Sequence, residues 1–69
     1  MNHWHYQLMR HTEDDGEVWY GVHEMYILHD GPFWTEDPVR IISEDQKGID
    51  WQLWRVLFDI VEHGVIDYE

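Results

Sequence analysis

The chain has 69 residues, 43% apolar and 16% aromatic, with five tryptophans and no cysteine. That length allows one small domain near the lower limit for folding alone, and the lack of cysteine excludes disulfide staples and Cys-type zinc sites. Fifteen Asp and Glu against four Lys and Arg give a net charge of −11, which disfavours nucleic acid and anionic membrane as direct partners and favours a basic one.

Residues 3–11 and 18–29 alternate in type, as strands do. On the first, Trp4, Tyr6 and Leu8 share one face, and His3, His5, Gln7, Met9 and His11 share the other. Asp14-Asp15-Gly16 suits a type I turn with Gly16 left-handed, closing a bulged hairpin. This register sets Leu8 against Val22, Tyr6 against Glu24 and Trp4 against Tyr26, so that face is expected to meet the core. The opposite face gathers His5, Gln7, Met9, Trp19, His23 and Met25 and is expected to be half-solvated. Asp30-Gly31-Pro32 is the next turn signal. A third strand over 33–36 pairs back on the second, and Pro38 stops it. Val39 to Ile42 is an apolar run expected to be extended.

Ser43-Glu44-Asp45-Gln46 fits a capping box, but Gly48 would interrupt a helix begun there. Asp50 is the better N-cap for a main helix over 51–63, with Gly64 as its C-terminal stop. Gln52, Arg55, Asp59, Glu62 and His63 fall within an arc of roughly 100° on that helix. Trp51, Leu53, Trp54, Val56, Leu57, Phe58, Ile60 and Val61 fill the rest. An apolar face this broad should be covered on more than one side. The sheet covers one side; residues 39–42, the Val65-Ile66 tail or a second copy of the chain are candidates for another. The expected architecture is α+β, a three-stranded antiparallel meander packed on one C-terminal helix, in a single domain over 1–69.

Tyr20-Gly21-Val22-His23-Glu24-Met25-Tyr26, Trp34-Thr35-Glu36-Asp37-Pro38 and Val65-Ile66-Asp67-Tyr68-Glu69 resemble motifs of a set of small acidic bacterial and phage proteins. Those read Y-G-I-H-E-V-Y, W-T-E-x-P and V-L-D-Y-E, in the same order and at similar spacing, and the match covers most of the chain from about Trp4. The family is largely uncharacterised, so the resemblance implies a fold more than a function. Two departures stand out. Gly48 lies where those proteins carry an ordinary Ser-and-Glu helix start, and WQLW (residues 51–54) suggests a specialised partner surface.

Three constellations bear on chemistry. His3-Trp4-His5 puts two imidazoles on one strand face, with His23 diagonal to His5, so these three are a weak alternative for zinc or another borderline metal. The competing reading is three polar residues on an open sheet face, and no cofactor is expected. Catalysis finds little support. The single serine, Ser43, lies in a helix cap, and carboxylate neighbours such as Asp14-Asp15 sit in a turn exposed to water, whereas a catalytic carboxylate needs burial. Glu24, on the expected core face, is read as lying near the sheet edge or as paired with Arg10, Tyr6 or Tyr26. The chain is therefore expected not to be an enzyme.

The acidic clusters are the third constellation: Glu13-Asp14-Asp15-Glu17, Glu36-Asp37, Glu44-Asp45 with Asp50, and the tail at Asp67 and Glu69. A charge of −11 exceeds the magnitude of about 2–8 that solubility asks of a small domain. Carboxylates on a rigid scaffold can imitate nucleic-acid phosphates and occupy a basic channel. The expected function is thus an acidic inhibitor of a basic, nucleic-acid-binding protein, bound through Glu13, Asp14, Asp15, Glu17, Glu36, Asp37, Glu44 and Asp45. Phage anti-CRISPR proteins are the group such an inhibitor resembles. The alternative is a small dimeric interaction module using Trp51, Leu53, Trp54 and Val56. Protonating all six histidines would move the charge from −11 to −5, so a charge-driven complex should loosen between about pH 7 and 5.5. No apolar run approaches the roughly 20 residues that span a bilayer. MNHWHYQL lacks the basic-then-apolar pattern of a signal peptide. A soluble protein of the cytoplasm is expected, the host's if the gene is phage-borne.

Overall fold

A computed structural model describes residues 3–68 and shows a small α+β fold. Strand β1 (His3–Thr12) and strand β2 (Val18–Leu28) form the hairpin, β3 (Gly31–Trp34) follows, α1 is Gln46–His63, and β4 is Val65–Asp67. The sheet order is β3-β2-β1-β4. The hairpin has the expected register, Leu8 on Val22, Tyr6 on Glu24 and Trp4 on Tyr26. The turn explains it: Gly16 has φ 90°, and its N–H donates to the Glu13 carbonyl at 2.9 Å. β3 pairs antiparallel with β2, Trp34 against Met25.

Three expectations need correction. The sheet has four strands and is mixed, because Val65–Asp67 joins β1 in parallel, Leu8 against Val65. The helix begins at Gln46, with Asp45 as its N-cap, and Gly48 lies inside it. The Asp45 carboxylate accepts from the Gly48 N–H at 2.9 Å, which satisfies one of the open donors of the first turn. Gly48 is there for space: a Cβ would lie 1.8 Å from Ser43 Oγ and 2.6 Å from Ser43 Cβ. Gly64 ends the helix as expected, at φ 71°, its N–H donating to Ile60. Residues 39–42 form no strand, although the Val39 N–H donates to the Val22 carbonyl at 2.7 Å.

The third correction concerns which side is inside. The buried face of the hairpin carries Gln7, Met9, His11, His23 and Met25, not Trp4 and Leu8. Sheet curvature is the reason. β3 and β4 are opposite edges, yet the Trp34 and Tyr68 rings lie 6.4 Å apart, and the Tyr68 hydroxyl donates to the Glu36 carbonyl. The edges curl over the histidine–methionine face and close it. Tyr6 is the buried residue of the other face, with the Trp4 ring edge-on at 5.2 Å.

Helix α1 lies along β1 rather than across the sheet. β4 covers only residues 8–10 of that strand edge. Farther along, the Tyr6 N–H donates to the buried Asp59 carboxylate at 2.9 Å. Arg55 donates to the same carboxylate at 3.1 Å and lies over the Trp4 ring at 5.0 Å. His63 stacks on His5, centroids 3.6 Å apart. The helix is thus attached by its polar arc.

Candidate functional site

Turning the polar arc inward leaves the apolar arc outside. Trp51, Leu53, Trp54, Leu57, Phe58 and Val61 are all exposed, Trp54 at 64% and Val61 at 79%. Trp54 and Phe58 stack at 5.6 Å, one turn apart. Trp51, Trp54, Phe58 and Val61 follow the three-four-three spacing of a helix–helix seam. Between Trp51 and Val61 the charged residues are Arg55 and Asp59, and both point toward β1. Three of the four apolar contact residues expected from the sequence, Trp51, Leu53 and Trp54, lie on this face; Val56 is half-buried. Leu57, Phe58 and Val61 belong to it as well. Their spacing from Trp54 is the signal that places them there.

The acidic residues divide. Glu13, Asp14, Asp15 and Glu17 are exposed at the hairpin tip. Glu13 accepts from Trp19 Nε1 at 2.7 Å, and Asp15 accepts from the Glu17 N–H at 2.8 Å. Glu13 borders one hollow together with Glu36, Asp37, His11, Trp19 and Tyr68. Two of the four clusters therefore adjoin. Glu44 and Asp45 stand at the start of α1, where Asp45 is committed as the cap. Asp67 is paired with Arg10 at 2.6 Å, a hydrogen bond that holds its carboxyl below the usual carboxylate range. Glu69 lies outside the described residues. Among the described residues no Lys or Arg pairs with the hairpin-tip or Glu36-Asp37 carboxylates.

The histidines do not gather as a metal site. His23 is fully buried. His23 Nδ1 donates to the Thr35 carbonyl at 2.8 Å, so its Nε2 accepts from His11 Nε2, also at 2.8 Å. Trp19 and Tyr68 stack on His11 at 3.8 and 4.3 Å. His5 instead contacts Gln7 and His63, and His3 is exposed. Among the described residues no three His, Asp or Glu come together to hold a metal ion. Burial keeps His23 below its ordinary pKa, with His11 adding to the effect and the Thr35 carbonyl and Asp37 opposing it. A loss of charge that counts six ordinary histidines is therefore too large. Glu24 accepts from the Tyr26 hydroxyl, one of the three pairings expected for it.

No family model matches the chain, and no curated protein or solved structure matches it. No helix among the described residues is long and apolar enough to cross a membrane.

Proposed function

We propose that this chain is a binding protein rather than an enzyme, and that it works through the outward face of α1. One observation carries this reading: six large apolar side chains of one helix are exposed while the polar arc of that helix is committed to β1. Contiguous apolar surface of this kind marks an interaction site in a folded protein. Aromatic side chains, which dominate the energetics of interfaces, make up half of it. The test is the uptake of Nile red, an uncharged apolar probe that a net charge of −11 does not repel. A blue-shifted emission that disappears in Leu57→Glu/Val61→Glu is expected if the face is open. If it is already occupied by a partner, the double variant should release that partner. A protein that shows neither, with unchanged circular dichroism, would refute the reading.

A second reading is an acidic decoy for a basic, nucleic-acid-binding protein, of which a CRISPR effector is one example. It is supported by the hollow that Glu13 shares with Glu36 and Asp37, none of which pairs with a Lys or Arg among the described residues. The decoy should displace labelled duplex DNA from a basic DNA-binding protein, with a steep loss of effect as salt rises. Asp14→Lys/Asp15→Lys or Glu36→Lys/Asp37→Lys should weaken that displacement. Equal displacement by wild type and both reversals would remove the carboxylates from the account.

A further inference from the structure

We infer that the occupant of the α1 face is a second copy of this chain, paired helix to helix about a two-fold axis. The inference rests on the outward face being an interaction surface and names its partner. Three observations carry it.

The first is area. A monomer of 8.5 kDa is expected to expose about 4,700 Å². This chain exposes 5516 Å², an excess of roughly 800 Å², which is one partner's share of a standard interface. The radius of gyration agrees: 13.1 Å, against about 11 Å for a compact chain of this length.

The second is self-complementarity. A two-fold interface requires one patch to fit itself. Trp51, Trp54, Phe58 and Val61 form a straight seam about 15 Å long. An antiparallel pairing centred near Val56 sets Trp51 against Val61 and Trp54 against Phe58. Large thus meets small at the ends, and the two helix dipoles oppose.

The third is charge. Two copies at −11 repel, and the exposed Asp50 and Glu62 flank the seam at its ends, but its middle carries no acid that faces outward. Between residues 51 and 61 the charges are Arg55 and Asp59, paired with each other and held against β1. The repulsion between copies is long-ranged and screened by salt, since the Debye length falls from about 10 Å at 0.1 M to about 3 Å at 1 M. The pair should therefore tighten as salt rises, opposite in sign to a complex of acid with base.

Sedimentation equilibrium of the full chain, with and without salt, tests this. Wild type should reach twice the monomer mass at tens of micromolar, with a dissociation constant that falls roughly tenfold from 0.05 to 0.5 M NaCl. Leu57→Glu/Val61→Glu places four carboxylates on the paired faces and should raise that constant at least about 100-fold. Both side chains are exposed in the protomer, so circular dichroism should not change. Dimers of equal strength in wild type and variant would place the interface elsewhere and overturn the inference. A wild-type monomer at 200 µM in 0.5 M salt would also overturn it. If that monomer takes up Nile red and the variant does not, the face remains a docking surface for another protein. If neither takes up the dye, the reading of the face as a docking surface fails as well.

Discussion

The inside of the hairpin and the outside of the helix have exchanged the characters that patterning alone would assign them. The curled face of the sheet buries two histidines and a glutamine beside two methionines. The helix exposes two tryptophans, a phenylalanine, two leucines and a valine. The difference lies in hydrogen bonding. Each buried polar side chain has a partner: Gln7 donates to the Gly64 carbonyl, His23 to Thr35, and Asp59 accepts from Tyr6. Among the described residues no buried side-chain nitrogen or oxygen lacks one. Burial of a polar group is tolerated when its bonds are complete. The apolar face of α1 has no such claim on the interior of one copy, so its hydrophobic free energy remains available for association.

The sharpest way to break this contrast is to remove the polar anchor and leave the apolar face intact. Asp59→Ala strands the Tyr6 N–H and the Arg55 guanidinium together. A loss of about 3 kcal/mol is expected in urea unfolding, a large fraction of what a chain this small has. Asp59→Asn keeps an acceptor for Tyr6 and should recover about half of it. Unchanged midpoints for both variants would mean that the helix is held by something other than its inward arc.

The buried histidine pair provides the second test. Folding holds His23 below its ordinary pKa, whereas the unfolded chain takes up that proton near about pH 6.5. Below that pH the unfolded state binds more protons, so stability falls as pH falls, by at most about 1.4 kcal/mol per unit from this one group. Above it the contribution is complete. His23→Gln removes the titration, and the wild-type minus variant difference should be flat above about pH 7 and decline below about pH 6.5. The difference matters because acidification also relieves repulsion among the carboxylates, with the opposite sign. A difference that stays flat down to pH 5 would show that His23 accepts its proton freely in the folded protein.

The hairpin was legible from sequence because its determinants are local. Asp14-Asp15-Gly16 fixes the turn, and the turn fixes every pair from Thr12–Val18 outward. Alternation, however, cannot say which face goes in. That was decided by Tyr68, Thr35 and Gly64, which meet His11, His23 and Gln7 from distant parts of the chain. β4 was missed because three residues carry little pattern, although Val65-Ile66 directly after a helix stop was a usable sign. The apolar stripe of α1 was read correctly from its spacing. What covers it stayed open between its own chain and a second copy, because the spacing gives the width of a face and not what lies opposite. The acidic clusters were visible as runs, but the meeting of Glu13 with Glu36 and Asp37 depends on the curl.

The smallest effect lies where α1 begins, and it tests whether the helix is pinned there as well as at Asp59. Glycine inside a helix costs about 1 kcal/mol relative to alanine, so propensity alone makes Gly48→Ala stabilising. The structure reverses that sign. A methyl group would sit 2.6 Å from Ser43 Cβ and 1.8 Å from its Oγ. Relief requires moving the main chain of the turn whose Asp45 caps the helix, since a rotamer change cannot carry Cβ away. A net loss of about 1 kcal/mol is expected. Ser43→Gly/Gly48→Ala removes both offending atoms and should recover at least that amount, leaving the propensity gain against a small loss of turn order. Thermal unfolding of the two variants decides the matter. A gain for Gly48→Ala alone would mean that Ser43 yields freely, and that α1 is fixed to the fold by its inward arc only.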